Sequence, residues 1–213
     1  TTSVKPKLNS GHLRILSPDG EEKEHFTPEE FEQRIEFEQT DYSYAGKTSY
    51  QGQILRANSL ARINITSSFA TPIADGYLQR FRNNFGSPAH AIMLFDLCRG
   101  IELVYAMERT IELLSEDLSS GETVVGYEVR DGIGYGLVEA PRGPLIHRYV
   151  VENGVISDAQ FIIPTVHNMH AIERALMVAG NRYIHPEGIN FELEKAVGRV
   201  VRAFDPCIAC ATQ

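Results

Sequence analysis

The sequence predicts a mainly helical α+β fold, with long packed helices and a β-hairpin element. Three observations carry this. The run "SPAHAIMLFDLCRGIELVYAMERTIELL" from Ser87 repeats apolar residues every three or four positions, as a helix burying one face requires. The run "NFELEKAVGRVVRAF" does so again near residue 200. Between them, two β-rich segments flank Asn153-Gly154, a pair suited to the positive φ angles of a type I′ turn.

In chain order, "GHLRILSPDGEE" reads as a strand ending in a Pro-Asp-Gly turn. "TPEEFEQRIEF" opens a helix, with Thr27 as N-cap, Pro28 at the first helical position and glutamates in the first turn. From Ser43 to Thr66 no period is evident, which predicts loop. "TPIADGYLQRFRNNFG" repeats the Thr-Pro start and stops at Gly86. The next helix is expected to begin at Ser87-Pro88 and run roughly 40 Å at 1.5 Å per residue. Cys98 lies on its apolar stripe and reads as core. "VVGYEVRDGIGYGLVEAPRG" is Gly-rich and β-like, and the hairpin through Asn153-Gly154 follows. Pro164-Thr165 ends the hairpin and starts a helix closed by Gly180. The last helix is capped by Asn190 and turns Val197, Val200, Val201 and Phe204 to one side. Asp205-Pro206 breaks it, because the residue before proline is pushed out of the helical region. Cys207 and Cys210 then follow in a turn.

The 213 residues are expected to form a single lobe, 1–213. A formal net charge of −8 argues against nucleic-acid binding. No apolar run reaches membrane-span length, and the opening "TTSVKPKLNS" has no signal-peptide core. Three unevenly spread cysteines are not a disulfide framework, which points to a reducing, cytoplasmic setting.

The Cys207-x-x-Cys210 pair admits three readings from its residues alone. A redox pair normally opens a helix after a strand, whereas this one follows a helix. Two thiolates are also half of a tetrahedral metal cage. The third reading is an incidental pair on a frayed tail, exposed to oxidation. Soft thiolates select zinc, iron–sulfur clusters, copper(I) or nickel. No other cysteine here has ligand spacing and no histidine pairs with these two, so further ligands are expected from another chain.

"RAFDPCIACATQ" resembles the D-P-C-x-x-C carboxyl end of the large subunit of nickel–iron hydrogenases. "EAPRGPLIH" at 139–147, "FIIPTVHN" at 161–168 and "SLARINI" at 59–65 resemble further segments of that subunit in the same order. The wording around Pro164 looks more like cytosolic hydrogenases that use a soluble acceptor. The resemblance covers the carboxyl-terminal half; the family's amino-terminal cysteine motif is absent from these residues. It implies a split large subunit in its mature form, whose other two thiolates come from a second chain.

By this resemblance Cys207 would be a terminal nickel thiolate, and Cys210 would bridge nickel to an iron carrying carbon monoxide and cyanide. Arg142 would place its guanidinium by the open metal position, oriented by Asp205. Pro164, Thr165 and Leu145 would surround the diatomic ligands, with Pro141 beside Arg142 and with Glu139 and His147 supporting the site or the fold. Gln213, where the family usually has histidine, would hold a magnesium or ferrous ion together with the main-chain carbonyl of Phe161. The implied activity is reversible heterolytic cleavage of dihydrogen. Electrons would leave through iron–sulfur clusters of a small subunit to an acceptor subunit. The alternative is a hydrogenase-derived, non-catalytic scaffold with a structural zinc or an empty site.

Overall fold

A computed structural model describes residues 11–117, 119, 121–186 and 188–212. The chain begins with a hairpin of β1 (Leu13–Leu16) and β2 (Glu22–Phe26) closed by the expected Pro-Asp-Gly turn. Thr27 caps the next helical turn through a reciprocal box with Glu30, whose carboxylate accepts from the Thr27 amide at 3.0 Å. The helix predicted there is short: a 3₁₀ turn at Pro28–Glu30 and α1 (Phe31–Arg34). Ile35 turns extended and the chain enters β3 (Glu36–Thr40).

The expected loop from Ser43 to Thr66 is instead structured. It holds β4 (Ser43–Tyr50), β5 (Gln53–Ile54) and α2 (Ser59–Ile65), with β3, β4 and β5 forming an antiparallel sheet. The missing period has a cause. The centre of β4 is buried on consecutive residues, Ala45 to Thr48, so no alternation of apolar and polar side chains marks it. Lys47 and Thr48 are polar yet enclosed; Lys47 Nζ pairs with Glu173 at 2.7 Å.

α3 (Pro72–Phe85) ends at Gly86 as predicted. The long helix, however, begins seven residues later than Pro88. A 3₁₀ turn at Ile92–Leu94 leads into α4 (Phe95–Leu114), 20 residues or about 30 Å. Ser87-Pro88 carries a cis peptide bond and belongs to the connection. Cys98 is fully buried among Leu60, Phe95, Ile101 and Phe204 in the main core, and burial pushes its thiol up to about 12.

The β-rich region is a three-stranded antiparallel meander of β6 (Gly132–Ala140), β7 (Gly143–Glu152) and β8 (Val155–Ile162). Asn153 and Gly154 both have positive φ, as a type I′ turn demands. Their amides donate to the Asp131 carboxylate at 3.0 Å each, which holds that carboxyl below its ordinary range.

A 3₁₀ turn at Val166–Asn168 opens α5 (Met169–Tyr183), which continues past Gly180 to Tyr183. α6 (Phe191–Phe204) has the predicted cap, Asn190 accepting from the Leu193 amide at 2.9 Å. Its buried face is Leu193, Ala196, Val200, Ala203 and Phe204; Val197 and Val201 are turned outward. Asp205 ends the helix in the left-handed region, φ 48°. A further helical turn, α7 (Ile208–Ala211), follows where only a turn was expected. The α+β class holds, with three small sheets among the described residues rather than one hairpin. Among the described residues no helix is long and apolar enough to cross a membrane.

Candidate metal centre

Three chain reversals meet at one pocket of about 420 Å³. The first is the tip of the β6–β7 hairpin. Ala140 pairs with Gly143, so Pro141 and Arg142 are the two turn residues. Gly143 has φ 135°, and a Cβ there would stand 2.7 Å from the Cβ of Ala57, so the position requires glycine. The second is the exit of β8 at Ile163–Thr165. The third is the α6–α7 corner carrying Asp205, Cys207 and Cys210. The pocket lining is mostly apolar: Ala140, Pro141, Leu145, Phe161, Ile163 and Pro164, joined by Arg142, His147, Thr165 and the two cysteines.

Arg142 and Asp205 form an ion pair, Nη2 to Oδ2 at 2.8 Å, and Nε donates to the Asp205 carbonyl. Both bonds fix the guanidinium plane against the end of α6. Arg142 is thus held by a residue whose carboxylate and main chain are oriented by the same left-handed helix end. Thr165, fully buried, accepts from the Cys207 amide at 3.1 Å. It stands at the N-cap of the following 3₁₀ turn, but its side chain makes no cap hydrogen bond, so the hydroxyl proton stays available for donation.

Cys207 and Cys210 are joined as a disulfide with Cα atoms 5.3 Å apart. On sequence these sulfurs are expected to bind a metal; in this structure they are bonded to each other. Within a C-x-x-C turn the Cα separation falls in the range that bridging allows. Among the described residues no group of three or more His, Cys, Asp or Glu side chains could hold a metal ion. The donor set therefore fits half of a thiolate cage. In its dithiol form the pair offers two soft sulfurs in an apolar pocket with one guanidinium beside it.

Other predicted residues fall differently. His147 lines the pocket, with Nδ1 3.0 Å from the Tyr149 hydroxyl and its ring edge-on to Phe161. Phe161 lines the pocket too, whereas Gln213 lies outside the described residues. Glu139 is not in the pocket. Its carboxylate pairs with Arg62 at 2.7 Å, and burial holds it above its ordinary range against the pull of that guanidinium.

Three residues that sequence reasoning does not single out hold the site together. Arg62 of α2 binds Glu102 through two bonds, Glu139 through one, and the carbonyls of Ala140 and Pro141 at 3.0 and 2.7 Å. Burial opposes its charge, but the two carboxylates outweigh that and raise its pKa. Asn168 donates to the carbonyls of Arg142 and Pro164 at 3.1 and 3.2 Å and accepts from the Ala57 amide. His167 is buried between Thr48 Oγ1 (3.2 Å) and the Pro144 carbonyl (3.1 Å). A carbonyl only accepts, so Nε2 carries the proton and Nδ1 accepts from the Thr48 hydroxyl. Arg62 and Asn168 stand inside segments that carry the resemblance; their long-range bonds leave no local signal.

Residues 10–213 match the family model of the nickel-dependent hydrogenases. The chain is 34% identical to a subunit of the F420-non-reducing hydrogenase vhc of Methanococcus voltae, over 96% of this chain and 46% of that protein. It is 30% identical to the NAD-reducing hydrogenase HoxS subunit beta of Cupriavidus necator, over 95% and 44%. A solved structure of an NAD+-reducing [NiFe]-hydrogenase in the H2-reduced state superposes with a TM-score of 0.89 at 28% identity, covering 98% of this chain and 48% of that one. The chain spans about half the length of the curated relatives it matches.

Proposed function

The chain belongs to the nickel-dependent hydrogenase family, and from that premise we propose that residues 1–213 supply half of the sulfur cage of a nickel–iron centre that interconverts dihydrogen with protons and electrons. The observation that carries this reading is the convergence of Cys207, Cys210, Arg142 and Thr165 on one apolar pocket. When bound, the centre, with carbon monoxide and cyanide on its iron, supplies the redox change and the polarisation of dihydrogen.

The residues of this chain do the rest. As thiolates, Cys207 and Cys210 would hold the centre, giving it two soft, strongly donating sulfurs from this chain. A thiolate is also a base, so the Cys207 sulfur would be placed to accept a proton released in the reaction. Arg142, fixed by Asp205, keeps a permanent positive charge and planar N–H donors at the pocket wall. Two of its nitrogens are committed to Asp205, and among the described residues Nη1 has no hydrogen-bond partner, so it is free to donate to anionic ligands of iron. Thr165 holds the Cys207 main chain while keeping its own proton to give. The apolar walls exclude water and strengthen each of these interactions.

Two further thiolates come from polypeptide outside these residues. The two electrons leave through iron–sulfur clusters of a partner subunit to a soluble acceptor, in the cytoplasm. Hydrogenase names among the relatives and the half-length coverage support this division. The test is elemental analysis and infrared spectroscopy of the assembled complex. Nickel and iron together, with metal-bound carbon monoxide and cyanide bands, are expected. Zinc alone, or a blank infrared window, would reject the reading in favour of a scaffold subunit.

A further inference from the structure

Arg62 has five N–H groups and all five are used. Three go to Glu102 and Glu139, on α4 and β6. The other two go to consecutive carbonyls, Ala140 and Pro141, immediately before Arg142. On the far side of Arg142, its own carbonyl accepts from Asn168, and Gly143 abuts Ala57. The main chain of the two-residue turn is therefore gripped from both ends, while the Arg142 side chain reaches across to Asp205. A hairpin tip with no such grip would be among the more mobile parts of a sheet.

We propose that Arg62 is a positioning residue: through the Ala140 and Pro141 carbonyls it sets where the Arg142 guanidinium stands relative to Cys207 and Cys210. This rests on the hydrogenase reading above and deepens it. Glu102 and Glu139 hold the Arg62 guanidinium aimed at the turn. Lysine cannot replace it, because three donors on one nitrogen cannot serve two carboxylates and two carbonyls in a plane.

The test uses the assembled complex carrying Arg62→Lys and, separately, Glu102→Gln, which loosens Arg62 without touching the turn. Arg62→Lys is expected to retain nickel and iron, shift the infrared bands of the diatomic iron ligands, and lower kcat about a hundredfold, the loss that a displacement of about 1 Å brings, with KM for dihydrogen little changed. Glu102→Gln should shift the bands in the same direction by less. A loaded Arg62→Lys with unmoved bands and rate overturns the proposal. If Arg62→Lys does not load metal, Glu102→Gln decides by the same two readouts; loss of metal in both would assign Arg62 to folding and overturn the positioning role. A wild-type complex with a blank infrared window sinks the hydrogenase reading alone. The crystal structure of Arg62→Lys then decides this one: Arg142 displaced supports it, Arg142 unmoved against Asp205 ends it.

Discussion

Lowering the pH should unfold this protein through His167 before most carboxylates titrate. The imidazole is buried, and desolvation takes its pKa from the ordinary 6.5 down to about 4, with the Pro144 carbonyl opposing. Its neighbours are the Thr48 hydroxyl, the Pro144 carbonyl and the Phe31 ring, and none is a carboxylate that could hold the charged form. In the unfolded chain the ring takes a proton near pH 6.5, whereas the folded chain refuses it until about pH 4. The unfolded state therefore binds more protons across that window, and stability rises with pH there. The contribution is fully present above 6.5 and is lost as pH falls to 4. A gap of about 2.5 units at 1.36 kcal/mol each corresponds to about 3 kcal/mol. Urea denaturation of the assembled complex at several pH values between 4 and 8 reads it. His167→Gln, which keeps a donor for Pro144, should flatten the slope. A slope of the same size in His167→Gln and wild type would refute the assignment.

Further outcomes are expected from the same contacts. Asn168→Ala removes three hydrogen bonds around the Arg142 turn and should destabilise by about 2–3 kcal/mol in denaturant titration, because the Arg142 and Pro164 carbonyls lose their donor. Gly143→Ala forces a Cβ against Ala57 at positive φ and should cost at least about 1 kcal/mol by thermal denaturation. Cys210→Ser should abolish nickel and iron content in the assembled complex, measured by elemental analysis, while Cys98→Ala should leave both in place. After reduction of the metal-free protein, thiol titration at neutral pH should detect two fast groups, with Cys98 reacting only on unfolding, since burial holds its thiol near 12.

Legibility tracks how local the governing physics is. Asn190 caps α6 because its side chain reaches an amide three residues on, and that interaction is visible in the sequence. Asn153-Gly154 likewise meets a turn's φ requirement within two residues. Ser87-Pro88 misleads as a helix start because serine before proline also suits a connection, and the apolar residues up to Leu94 serve a 3₁₀ turn rather than the helix. β4 escapes sequence reasoning because its enclosure comes from elsewhere: α5 through Glu173 and the 3₁₀ turn through His167. Val197 and Val201 stand on the other side of α6 from the one expected, because their apolar character does not reveal which partner covers them.

The same division runs through the site. Residue order alone determined the donor chemistry: two soft sulfurs, one arginine between proline and glycine, and an aspartate that stops a helix. Those properties belong to single side chains and to their immediate neighbours. Tertiary structure decided which of them share a pocket, that Glu139 faces Arg62 instead, and that the sulfurs close on each other. Such outcomes depend on long-range contacts, as in Asn58 Nδ2 to the Phe204 carbonyl, 146 residues apart, and long-range hydrogen bonds impose no period on the chain that makes them.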